Sequence, residues 1–98
     1  MPLYVHFVKL TRDGAEKIRE LPPAYEKFRK FVDSLGGKPA CVVACFGEFD
    51  FLNIVDYPDQ AAALKAAGFA TAQGYVRMET VPAYPIEDFF MVMGALPR

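Results

Sequence analysis

Two apolar runs lie in mid-chain, Ala40-Cys41-Val42-Val43-Ala44-Cys45-Phe46 and Phe51-Leu52-Asn53-Ile54-Val55, separated by Gly47-Glu48-Phe49-Asp50. Short runs rich in β-branched and aromatic residues read as strands, and the Gly-X pair between them reads as a tight hairpin. Gly47 would supply the positive φ of a type II′ turn. The hairpin is expected over about residues 39–57. Side chains alternate along a strand, so the turn sets the register. It places Phe46 opposite Phe49, Ala44 opposite Phe51 and Val42 opposite Asn53 on one face. Cys41, Val43, Cys45, Leu52 and Ile54 share the other, with Asp50 at the strand start accepting hydrogen bonds from turn or helix N–H groups.

The same logic divides the rest of the chain. Residues 2–10 predict a strand. Thr11 or Asp13 caps a helix over Asp13–Glu20, interrupted by Leu21-Pro22-Pro23. Phe28, Phe31, Val32 and Leu35 keep the spacing of one buried helical stripe over Pro23–Leu35, ended by Gly36-Gly37 in a left-handed cap. Asp59 caps an Ala-rich helix over about 59–67. Residues 73–82 predict a fourth strand. Pro85, Glu87 and Asp88 open a last helix with an apolar stripe of Ile86, Phe89, Phe90, Met93 and Leu96. The order β-α-β-β-α-β plus a terminal helix is that of an α+β, ferredoxin-like domain spanning residues 1–98, with an antiparallel sheet ordered 4-1-3-2.

Both helices then cover one sheet face. The all-apolar set Cys41, Val43, Cys45, Leu52 and Ile54 is expected to meet them, with Leu3, Val5 and Phe7 from the first strand and Val76, Met78 and Thr80 from the fourth. The other face would carry Tyr4, His6, Val8, Phe49, Phe51, Asn53, Val55, Tyr75, Arg77 and Glu79. There His6, Asn53, Arg77 and Glu79 could cluster among the aromatic rings Tyr4 and Phe51. These six side chains are the ligand-binding candidates. A bare face with Phe46, Phe49 and Phe51 would be an exposed apolar patch, which a second copy could cover by a two-fold contact. Two readings of the polar cluster stand open: a satisfied interface network, or a ligand pocket between subunits. His6 is the first candidate for proton transfer if there is catalysis.

Composition sharpens this picture. An apolar fraction of 53% is high for 98 residues and argues for a partner subunit. A net charge of −1 with dispersed Lys and Arg argues against nucleic-acid binding through a basic face. No apolar run reaches a membrane span, and the start of the chain does not read as a signal peptide, so a cytoplasmic protein is expected. Cys41 and Cys45 are about 13 Å apart on a strand, too far for a disulfide, and read as reduced, buried thiols. With one His and two Cys, no metal site is expected, and no cofactor. No nucleophile–base or phosphate-cradling motif occurs, so catalytic residues stay unassigned.

Several segments together carry a family resemblance. They are Thr11-x-x-Gly14 with Ile18, Phe28-Arg29-Lys30 leading to Leu35-Gly36-Gly37-Lys38, Gly47-Glu48-Phe49-Asp50, Val55 to Pro58-Asp59, the Ala-rich helix, and Val76-Arg77-Met78-Glu79-Thr80. In this order they resemble the GYD-domain proteins of the dimeric α+β barrel group. The chain departs at the naming motif, where Phe49 replaces the Tyr. The resemblance implies a ferredoxin-like fold and homodimers, with no established activity. The hairpin is also similar to that of the Lrp/AsnC effector-binding domain, which binds small molecules between subunits. Three functions follow as expectations. The first is a dimeric module binding a small metabolite or partner at the inter-subunit sheet face. The second is a structural assembly subunit. The third is a cofactor-independent enzyme of the monooxygenase or isomerase type.

Overall fold

The computed structural model describes residues 2–98. Its elements run β1 (Leu3–Leu10), α1 (Arg12–Glu16), a 3-10 turn (Ile18–Glu20), α2 (Leu21–Ser34), β2 (Lys38–Ala44), β3 (Phe51–Asp56), α3 (Gln60–Ala72), β4 (Val76–Ala83) and α4 (Ile86–Gly94). The strands form one antiparallel sheet in the order β2-β3-β1-β4, which is the expected 4-1-3-2 seen from the other edge. The architecture is α+β and consistent with a ferredoxin-like fold carrying an added C-terminal helix.

Local chemistry explains the boundaries. The Thr11 side chain accepts the Gly14 N–H at 3.0 Å and donates to the Gly74 carbonyl at 2.7 Å, so one hydroxyl caps α1 and ties it to the entry of β4. A Cβ on Gly14 would collide with the Tyr75 carbonyl oxygen, so only glycine lets these backbones meet. Pro22 and Pro23 do not interrupt a helix. They sit in the first turn of α2, where a missing N–H breaks no intrahelical bond. Gly36 takes φ +81° and ends that helix, as its left-handed cap requires. Asp59 caps α3 by accepting the Ala62 N–H at 2.8 Å, and the helix runs on through Gly68 to Ala72, past its expected end, with Ala70 buried in the core. Ala63, Ala66 and Ala70 let α3 approach Tyr57, Val55, Phe28 and Val32, which form the core with Tyr4.

The hairpin keeps its register but not its turn. Ala44 pairs with Phe51 and Val42 with Asn53, as expected. Residues 45–50, however, form a wider loop in which Gly47 does not take positive φ. Phe46 is fully exposed and does not oppose Phe49. The Asp50 carboxylate accepts the Leu10 N–H at 2.8 Å and its own N–H donates to the Val8 carbonyl at 2.9 Å. A two-residue turn could not put Asp50 there, so the loop widens to hydrogen-bond the end of β1.

The assignment of faces is reversed for three strands. Tyr4, His6, Val8, Asn53 and Val55 are buried under the helices, and Leu3, Val5, Phe7, Cys41, Val43, Leu52 and Ile54 lie on the open side. Only β4 keeps the expected sense, with Val76 and Met78 against the core and Thr80 beside His6. The reason is that both faces are apolar enough to be buried, and His6 of the mixed face finds internal partners in Tyr57 and Thr80. The cysteines are free as expected but not buried. Cys41 is exposed and Cys45 half-buried, because β2 is an edge strand with little cover. α4 buries none of its residues, so Met91 and Met93 do not fill the core.

Candidate functional site

The open sheet face is the most developed surface of the molecule. Strand pairing aligns its side chains in cross-sheet rows. One row is Cys41–Ile54–Val5–Val81 and the next is Val43–Leu52–Phe7–Glu79. Phe49, in the loop, packs its ring 4.9 Å from that of Phe7 and enlarges the apolar area. The row beyond on one side is Lys38–Asp56–Leu3–Ala83, and on the other Lys9 pairs with Arg77. An apolar centre is therefore bordered by charge, the layout of an interface core with a polar rim. The buried Asp56 Oδ1 in that border has no hydrogen-bond partner.

The opposite face holds the histidine. His6 is 0% exposed, with Nε2 at 2.6 Å from the Tyr57 hydroxyl and Nδ1 at 2.7 Å from the Thr80 hydroxyl. Burial lowers its pKa to about 4, so the ring is neutral at pH 7. A neutral imidazole has one N–H and one lone pair, and two hydroxyls satisfy both. Burial also raises the Tyr57 phenol above its usual range. The Tyr57 hydroxyl is buried against His6. The signal for it was present, since Asn53, Val55 and Tyr57 continue one period-two face.

The six candidate side chains do not gather. Tyr4, His6 and Asn53 are buried on the helix side, where Phe51 also points. Arg77 and Glu79 are exposed on the open side, because they alternate with Met78 and Thr80. Among the described residues, no group of three His, Cys, Asp or Glu could hold a metal ion, and no helix is long and apolar enough to cross a membrane.

Residues 4–93 match the GYD domain. The chain belongs to the GYD family. The match begins in β1 and ends within α4, so the GYD domain takes in both the open sheet face and the buried histidine. A relative from Thermus thermophilus is 28% identical over 89 residues, covering 90% of this chain and 94% of the relative, and is described as a glutamine synthetase and cystathionine beta-lyase binding protein. No solved structure gave a significant match.

Proposed function

We propose that this GYD protein is a non-enzymatic binding module that pairs with a second copy through its open sheet face and docks a metabolic enzyme through α4. The observation that carries the reading is the pair of apolar rows on the open face, bordered by Lys9, Arg77, Lys38 and Asp56. A monomer has no use for Val5, Phe7, Leu52 and Ile54 lined up on a bare sheet. A two-fold copy of the same face would cover them and set charged rims against each other. α4 suits the second contact. Its nine residues are too few for a stable isolated helix, and Ile86, Phe89, Phe90 and Met93 offer anchors at helical spacing. The description of the Thermus relative supports an enzyme as the partner class. The oxygenase or isomerase reading depended on His6, Asn53, Arg77 and Glu79 acting together, and they lie on opposite faces of the sheet.

Light scattering and surface-immobilised binding test this together. The full chain should be a dimer at micromolar concentration, and Ile54→Asp should make it a monomer. Glutamine synthetase or cystathionine beta-lyase from the source organism should bind the full chain and not Phe90→Asp. A monomeric wild type would overturn the pairing face, and equal binding by Phe90→Asp would overturn the role of α4.

A further inference from the structure

A cavity of about 520 Å³ lies on the helix side of the sheet and extends to the edge strand β2, where Val43 of the pairing-face rows also borders it. Its floor includes Val8, Phe51 and Met78, and its roof includes Leu21, Tyr25 and Phe28 of the α2 region. It exists because α2 leaves part of β3 and the edge strand β2 uncovered. The volume is within the range of small-molecule sites. No Lys, Arg, His, Asp or Glu side chain lines it. A charged ligand would lose its hydration there with no opposite charge in return.

One polar group stands out on the floor. Asn53 lines the cavity, is 5% exposed, and its Oδ1 has no hydrogen-bond partner. The neighbouring His6 cannot serve it, because both ring nitrogens are taken by Tyr57 and Thr80. The wall around Asn53 is mostly apolar, with Gln73, Tyr25 and Tyr75 the other side chains able to hydrogen-bond. The carboxamide can present either its oxygen or its NH₂ by turning over. The Oδ1 atom is itself shielded from solvent, so the carboxamide would offer its oxygen to an entering group by turning over, for a single hydrogen bond.

We propose that this cavity binds a neutral, mainly apolar small molecule that places one hydroxyl or N–H group on Asn53. The site lies within one protomer and does not depend on the sheet-face pairing or on the enzyme partner.

N-phenyl-1-naphthylamine is a suitable probe: it is neutral, has one N–H and brightens in apolar surroundings. The full chain should bind it saturably at one molecule per chain. Ala44→Trp and Ile18→Trp fill the cavity from exposed wall positions, and each should weaken binding at least about tenfold while keeping the wild-type circular dichroism spectrum. Asn53→Leu should weaken it about tenfold, the value of one hydrogen bond. The same variant should leave unchanged the competition by 1-benzylnaphthalene, which has CH₂ in place of the N–H. Ile54→Asp should bind as the wild type does, which separates this site from the pairing face. The proposal is overturned if the full chain shows no saturable binding, if both Trp variants bind normally, or if Asn53→Leu affects the two compounds equally. Binding gained only on truncation after Tyr84 would overturn it too, and would assign the cavity to α4.

Discussion

At the scale of single residues, the chain's one histidine is a core strut with a pH-dependent cost. Its folded pKa of about 4 is below its ordinary value of 6.5. Above pH 6.5 neither the folded nor the unfolded chain protonates it, and it adds no penalty. Below pH 6.5 the unfolded chain takes up a proton that the buried ring refuses, so stability falls as pH drops toward 4. The loss is about 1.4 kcal/mol per pH unit and roughly 3 kcal/mol in all. Urea unfolding between pH 7 and 4.5 should show this slope. His6→Leu should cost about 2–4 kcal/mol at pH 7, since it strands the Tyr57 and Thr80 hydroxyls, but it should flatten the slope. An unchanged slope in that variant would move the acid sensitivity to the carboxylates. Sequence reasoning singled out His6, but its neutral state depends on Tyr57 and Thr80, 51 and 74 positions away.

Single elements are held by contacts that one atom can break. The Thr11–Gly14 turn lies against Gly74 and Tyr75, and the added methyl of Gly14→Ala meets backbone, which cannot rotate aside. That variant should lose about 2 kcal/mol or more and melt roughly 10 °C lower, measured by circular dichroism. A melting point within a degree or two of the wild type would show that the α1 turn shifts freely. Caps at Thr11 and Asp59, the glycine stop at Gly36 and the strand register at Val42–Asn53 were all legible, because each is a short-range effect of backbone chemistry. The hairpin turn was not. Its shape depends on the Asp50 carboxylate reaching β1, a contact between residues 40 apart.

The whole molecule is extended for its length. Its radius of gyration is 15.0 Å, against about 13 Å for a compact chain of this size, and α4 buries none of its residues. Truncation after Tyr84 removes no buried residue, so the shortened chain should keep its cooperative melt and its pairing. Its radius by X-ray scattering should shrink, and it should lose the enzyme contact. Loss of the cooperative transition would instead make α4 part of the folding unit.

Pattern alone determined the order of elements, the α+β class, the strand order and the pairing of Val42 with Asn53. Periodicity, caps and turn residues act over a few positions and are written in the chain. The family resemblance, carried by the order of its short segments, was also legible and is shown by the match over residues 4–93. Which face of the sheet receives the helices was decided only in three dimensions. Both faces of β1 and β3 are largely apolar, so alternation separates them without ranking them. The tertiary structure ranks them by satisfaction of polar groups: His6 is buried because Tyr57 and Thr80 meet it, while Leu3, Val5 and Phe7 need no partner and are left on the open side. That choice sends Arg77 and Glu79 to one side and His6 and Asn53 to the other. It leaves an apolar sheet on the first side and an unpartnered amide in a cavity on the second.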